Sequence, residues 1–379
     1  MKYKFATLFV LSCTLLLADL SLLRAQPYEQ FHPGEQWLDD IGTHINAHGG
    51  GILYQDGTYY WFGEHKGENN RAEVGVRVYS STDLYNWKNE GVALAVSDAP
   101  DSEIVSGAII ERPKVIYNEK TDTYVMWFHL ELKGQGYSAA RTGVAVSENV
   151  TGPYRYLRSY RPNAGDWPVR ATTETKRKKY DADTLEWWTD PWREALVDGL
   201  FLRRDQKGGQ MSRDMTLFVD DDGTAYHIHS AEENATLHIS KLSDDFQSFT
   251  GRYNRILPGK FNEAPAIFKH VGKYYIIASG TTGWDPNPAR LLVADSLFGE
   301  WQMTGNPAKG ERADITFDSQ STFILNVQGK EDAYIYMGDR WEPENPITGT
   351  YVWLPIEFDE NGQPFIQWHE EWDLSYFDE

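Results

Sequence analysis

A unit of two short strands joined by a tight turn comes round five times in this chain, each copy an apolar strand headed by a polar residue, a turn, and a strand usually rich in Tyr. The copies begin at Gly51-Ile52-Leu53-Tyr54, Val115-Ile116-Tyr117, Leu217-Phe218-Val219, Ile267-Phe268-Lys269 and Phe323-Ile324-Leu325, and their second strands fall over 58–64, 123–129, 224–230, 273–279 and 333–339. In four copies a third strand follows and closes on a Ser/Asp-rich turn with an aromatic, at 78–87, 144–156, 237–249 and 292–301. Small antiparallel sheets repeated in this way, with Asp-Gly turns, are the blades of a propeller, in which each sheet buries both faces against its neighbours. The expectation is an all-β protein, a single five-bladed β-propeller over 26–379. A β-sandwich also accommodates regularly spaced strands, but it does not explain why polar residues recur at the same place in every copy.

One stretch, about 160–210, fits no repeat. It carries Lys176-Arg177-Lys178-Lys179, Trp187-Trp188 and Trp192, and a loop of that length in a compact domain is usually functional or disordered. Its Trp content argues for order, so it is expected to fold over one end of the propeller and wall the site.

Residues 1–25 start with Lys2 and Lys4, run apolar from Phe5 to Leu17 and end at Leu22-Leu23-Arg24-Ala25, the pattern of a secretory signal and too short to span a bilayer as a helix. A secreted or periplasmic protein is expected. Cys13, the one cysteine, lies in that segment, so no disulfide can staple the mature chain. The formal net charge is −20, and removal of the leader takes it to about −22. Such a surface repels nucleic acid and anionic lipid, whose binding requires a basic face. Aromatic residues make up 14% of the chain, with 14 Trp and 22 Tyr, and their flat faces with polar edges suit stacking on sugar rings. The expected partner is an oligo- or polysaccharide, with no nucleic acid and no membrane, bound by a monomer.

In a propeller the first strand of each blade lines the central channel, and the leading ends of all five meet at one mouth. Four residues ahead of the channel-lining core stand, or just precede it, His48, Glu111, Arg213, Glu263 and Ser319; three ahead come Gly49, Arg112, Asp214, Ala264 and Gln320. Three carboxylates thus converge, and mutual repulsion should raise the pKa of at least one. They could hold a divalent cation such as a structural Ca²⁺, perform glycoside hydrolysis, or form a salt-bridged plug with Arg112 and Arg213. No nucleotide loop or Cys/His zinc spacing appears, so no cofactor is required.

Arg213-Asp214-Met215-Thr216-Leu217-Phe218-Val219-Asp220-Asp221-Asp222-Gly223, and Glu263-Ala264-Pro265-Ala266-Ile267-Phe268-Lys269 followed by Gly272-Lys273-Tyr274-Tyr275, resemble motifs of glycoside hydrolase family 43. The resemblance implies an inverting glycosidase with Glu263 as general acid and Asp214 tuning it. At the head of blade one, where that family usually carries its base Asp, this chain has Asn46-Ala47-His48-Gly49-Gly50-Gly51. That departure, with Glu111-Arg112-Pro113-Lys114, Ser319-Gln320, Tyr336-Met337-Gly338-Asp339-Arg340-Trp341 and Thr350-Tyr351-Val352-Trp353-Leu354-Pro355, is similar to the branch of exo-β-1,3-galactanases and related galactosyl- or arabinofuranosyl-releasing enzymes. There a second-blade Glu and a fifth-blade Gln hold the attacking water, roles the resemblance carries to Glu111 and Gln320. On chemistry Glu111 is the favoured base, since an amide such as Gln320 accepts a proton very weakly; His48 is a further candidate, or a ligand for sugar hydroxyls. Glu64, Arg112, Trp284, Asp339, Arg340 and Trp341 are expected, with His48 and Gly49, to contact substrate. Gly49 in the usual base position leaves a second reading, a carbohydrate-binding propeller without catalysis.

Overall fold

In the computed structural model, residues 27–180 and 184–378 are described; the expected signal peptide, 1–25, and Cys13 lie outside them. Five antiparallel sheets follow one another along the chain. Blade one holds β1 (His48–Gln55), β2 (Thr58–Glu64), β3 (Gly75–Ser81) and β4 (Lys88–Ala95). Blade two holds β5 (Ile109–Asn118), β6 (Thr123–Glu131), β7 (Arg141–Ser147) and β8 (Arg155–Tyr160). Blade three holds β9 (Met215–Val219), β10 (Ala225–Ala231), β11 (Thr236–Leu242) and β12 (Phe249–Ile256); blade four holds β13 (Glu263–His270), β14 (Lys273–Ser279), β15 (Arg290–Ala294) and β16 (Gln302–Gly305). The fifth is built from β17 (Ala308–Lys309), β18 (Gln320–Asn326), β19 (Tyr334–Arg340), β20 (Thr350–Phe358) and β21 (Pro364–Gln367), with β17 parallel to β21 at its outer edge.

The inner strands β1, β5, β9, β13 and β18 each contact the next and close into a ring, the five-bladed propeller expected from the repeats. Between every pair of neighbouring blades lies one apolar cluster. Phe62 and Val78 meet Ile110 and Met126, Trp127 and Ile116 meet Leu217 and Met215, Ile228 meets Ile276, and Ile277 and Phe268 meet Tyr336 and Leu354. A strand buried on both faces needs apolar residues at consecutive positions, which explains why the inner strands read as apolar runs rather than alternating ones. The outermost strands do not announce themselves in sequence: Gln302–Gly305 is wholly exposed, and Lys88–Ala95 buries only Ala93 and Leu94.

The seam between blades five and one is the one that must be closed by the two ends of the chain. Here the N-terminal segment inserts an aromatic wedge: Phe31 stacks on Trp372 at 4.4 Å and exchanges backbone hydrogen bonds with it, and Trp37 packs among Trp61, Trp87 and Trp353. Phe31, Trp61, Trp87, Trp353 and Trp372 are all buried.

The stretch without a repeat forms three short helices, α1 (Thr173–Arg177), α2 (Asp190–Val197) and α3 (Leu200–Asp205), between blades two and three. No helix among the described residues is long and apolar enough to cross a membrane.

Because the wedge joins the two ends of the ring, Phe31→Ala should cost about 3–5 kcal/mol, the range for emptying a buried aromatic site. Equilibrium urea unfolding measures it; a loss below about 1 kcal/mol would show that the seam holds without the N-terminal segment.

Candidate active site

At the head of four inner strands the pairing register slips, between Ser321 and Phe323 in β18 and, in the other three, between His48 and Gly51, between Glu111 and Lys114, and between Glu263 and Ala266. Inside each of these last three slips one residue has a left-handed backbone: Gly49 at φ 58°, Arg112 at φ 55° and Ala264 at φ 51°. A bulge of this kind adds a residue to one strand and re-aims the side chains around it. The result is a pocket of about 250 Å³ at one mouth of the channel, lined by Glu64, Lys66, Glu111, Arg112, His129, Tyr137, Arg213, Asp214, Asn234, Glu263, Gly283, Trp284, Gln320 and Trp341.

Two carboxylates on its floor have opposite electrostatic settings. Burial, and next the charge of Asp214, push Glu263 up to about 7, while its Oε1 accepts a hydrogen bond of 2.5 Å from Asn234. Glu111 is buried more deeply, which by itself would raise it, yet His129, the charge of Lys66 and the Tyr137 hydroxyl hold it well below the usual carboxylate range. His129 Nδ1 pairs with the Glu111 carboxylate at 3.0 Å, and its Oε1 accepts from Tyr137 Oη at 2.7 Å and Asn70 Nδ2 at 2.8 Å. His129 is in turn clamped through Nε2 by Glu131 at 2.9 Å; burial opposes its charge, but the two carboxylates carry it up to about 9, so it is an imidazolium at neutral pH.

Arg112 ties the floor together. Its guanidinium donates to Asp214 Oδ2 at 3.1 Å, to Gln320 Oε1 at 2.5 Å and to the Ser321 carbonyl at 3.0 Å, and lies 5.3 Å from the Trp341 ring centre. Asp214 also accepts from the Ala264 backbone N–H at 3.1 Å, so blade three's carboxylate is fixed against blade four's strand head. Gln320 is held at both ends, its oxygen by Arg112 and Trp341 Nε1 and its nitrogen by Ser279 Oγ at 2.9 Å.

In blade one, a side chain on Gly49 would run into the Glu64 carboxylate. Glu64 therefore stands against the strand head where that side chain would begin. Burial raises its pKa, against the pull of Lys66, whose Nζ pairs with it at 2.5 Å.

The sequence model of glycosyl hydrolases family 43 matches residues 187–364. A family 43 β-1,3-galactosidase, solved with galactodeoxynojirimycin, is 55% identical and superposes with a TM-score of 0.89, covering 91% of this chain and all of that one. The chain belongs to glycoside hydrolase family 43.

The hydrolase is also similar to exo-β-1,3-galactanases from Phanerochaete chrysosporium (33% identity, TM-score 0.73, 92% of this chain and 68% of that one) and Clostridium thermocellum (34%, 0.72, 90% and 66%). No curated protein sequence matches it.

Of the residues expected in the site, Glu64, Glu111, Arg112, Asp214, Glu263, Trp284, Gln320 and Trp341 meet in the pocket. Four do not line it. His48 is fully buried, its ring stacked on Tyr351 at 5.2 Å, and burial lowers its pKa well below the ordinary value. Gly49 spends its N–H on Asp339 and its carbonyl on Lys114 Nζ at 2.7 Å. Asp339 is consumed by that bond and buried beneath the floor, where desolvation lifts it to about 7. Arg340, the next residue of β19, points to the opposite face, donating to the Phe317 carbonyl and lying over Trp368.

Lys66, His129, Tyr137 and Asn234 were not expected. His129 had a signal: the ends of the second strands face the heads of the first, pairing His48 with Glu64, Glu111 with His129, Glu263 with Ser279 and Gln320 with Asp339. Tyr137 and Asn234 come from the β6–β7 and β10–β11 connections, where no repeat reaches.

The residues do not suit a Ca²⁺ ion. Glu111, His129 and Asp214 bring ligand atoms within 4.8 Å of one another, but His129 carries a proton on each nitrogen, and Arg112 already occupies Asp214. Contrary to expectation, none of the described residues of the insertion lines the pocket.

Chelator should therefore leave the melting temperature unchanged, as differential scanning calorimetry with and without EDTA can check; a fall would reveal a structural ion. Gly49→Ala should lose about 1–3 kcal/mol from its left-handed backbone alone and should abolish turnover by displacing Glu64, whereas near-native activity would show that Glu64 can move freely.

Proposed function

We propose that the hydrolase is a secreted, inverting exo-enzyme that removes terminal galactosyl units from β-1,3-linked galactan such as the backbone of arabinogalactan, acting as a monomer. The observation that carries this reading is the division between Glu263, pushed up to about 7 in the pocket, and Glu111, held well below the usual carboxylate range by His129, Lys66 and Tyr137. Inversion needs one carboxylic acid to protonate the leaving oxygen and one carboxylate across the sugar to activate water.

Glu263 is the acid. Burial, and next the charge of Asp214, which Arg112 pairs at 3.1 Å, favour its protonated form. Glu111 and Gln320 hold the water, with Glu111 taking the proton. Its low pKa makes it a weak base, but an amide is weaker still. The small volume of the pocket, below the about 300–1,000 Å³ typical of sites enclosing larger ligands, suits one terminal sugar, with Trp284 and Trp341 as stacking faces. The names of the similar enzymes favour galactose. The apolar leader at residues 1–25 supports secretion.

The test is monosaccharide release from β-1,3-galactan, arabinogalactan, arabinan and aryl furanosides. Galactose freed by the wild type and not by Glu263→Gln is the expected result, and arabinose alone would replace galactosyl by arabinofuranosyl. Because the active form of Glu263 is protonated, kcat/KM should fall about tenfold per pH unit above its pKa near 7. Below that value it should stay level far into the acid range, since Glu111 titrates low. An aryl galactoside with a good leaving group needs no proton on departure and should lose less in Glu263→Gln; equal losses on both substrates would remove Glu263 from the acid role.

A further inference from the structure

The helical insertion buries its own small core, Trp192, Ala195, Leu196, Leu200 and Phe201, against two residues of the propeller, Ala235 and Phe261. Both flank the acid. Ala235 follows Asn234, which donates to Glu263, and Phe261 precedes Glu263 by two residues, at most about 7 Å along the chain. A second attachment runs from α3: Arg204 holds Glu233 at 2.9 Å, and Glu233 holds Arg213 of the pocket wall at 3.3 Å. The insertion is thus fixed to the rim on the blade three and four side.

On this base two tryptophans face solvent. Trp187 is 50% exposed and Trp188 56%, and the only other exposed tryptophan among the described residues is Trp284, which lines the pocket. Neither is a loose side chain. Trp187 is stacked on buried Trp192 at 5.2 Å and packs on Phe201, and Trp188 lies on Phe261 at 5.4 Å with the Arg193 guanidinium 5.6 Å from its ring. Two adjacent indoles held rigid in water are costly unless a ligand covers them, and their rigidity lowers the ordering cost of binding.

The direction in which the substrate leaves the pocket selects the occupant. An acid protonates the oxygen that joins the terminal sugar to the rest of the chain, so the leaving chain must pass on the Glu263 side. That is the side on which Phe261 and the tryptophan pair lie. We propose that Trp187 and Trp188 form a distal platform on which a sugar of the leaving galactan chain stacks, its apolar C–H face against the indoles. This rests on the functional reading above, and it assigns to the insertion the recognition of polymer rather than of the cleaved unit.

The experiment compares kcat/KM for β-1,3-galacto-oligosaccharides of increasing length with that for an aryl β-galactoside, in wild type, Trp188→Ala and Trp188→Phe. For the longer oligosaccharides Trp188→Ala should lose about three- to tenfold, the worth of one aromatic stacking contact. The aryl substrate should be unaffected and the circular dichroism spectrum unchanged, and Trp188→Phe should recover part of the loss. A length-independent loss, or none at any length, overturns the platform. So does a change of oligomeric state in sedimentation, which would make the pair a protein contact. Binding is read separately on Glu263→Gln, whose affinity for β-1,3-galactotetraose should fall when Trp188→Ala is added; unchanged affinity overturns the platform whatever the turnover assay gives. Failure of the wild type to release galactose from any substrate sinks the functional reading instead.

Discussion

The buried guanidinium of Arg112 is the contact on which the site depends. It reaches from blade two to Asp214 of blade three and to Gln320 and Ser321 of blade five, while its backbone N–H donates to Glu64 of blade one at 3.2 Å. A charge this deep is tolerable only when its partners are in place, and removing any one leaves an unpaired group in a dry channel. Its left-handed backbone adds a local cost, characteristic of residues held by their surroundings at functional positions. Four blades are thus fastened at one point, and blade four joins them through the Ala264 N–H that Asp214 accepts.

The same ring of strand heads sets two carboxylates at opposite ends of the scale. Desolvation raises both Glu111 and Glu263. What separates them is the company each keeps: the His129 imidazolium and Tyr137 stabilise the charge on Glu111, whereas the neighbouring Asp214 discourages charge on Glu263. Behind His129 stands Glu131, itself buried and holding the Ala140 N–H. The ionisation state of the pocket is therefore a product of residues one layer removed from the sugar.

Much of this was legible in the chain. The repeats placed Glu111, Asp214, Glu263 and Gln320 at one mouth because the repeat period and the propeller's symmetry leave little choice. His48, Gly49, Asp339 and Arg340 lie off the pocket lining for two reasons. A bulge at the head of β1, which counting by position does not register, re-aims His48 and Gly49; at the regular end of β19, Asp339 bonds the Gly49 N–H while Arg340 turns to the other face. His129 was missed although the hairpin register places it opposite Glu111, and Tyr137 and Asn234 sit in connections that obey no repeat. The outer strands were unreadable because a solvent-facing edge strand needs no apolar pattern.

By itself the sequence determined the fold class, the number of blades and the set of strand heads, since apolar runs at a fixed period can bury both faces only by stacking into a closed ring. The tertiary structure alone decided the chemistry. Charge and orientation depend on contacts between residues far apart in sequence: Arg112 with Asp214, His129 caught between Glu111 and Glu131, Glu64 against Gly49, and an insertion whose tryptophans lie beside the acid because its core closes on Phe261. The energies that set a pKa or aim a side chain fall off over a few ångströms, and which groups come that close is a property of the folded chain.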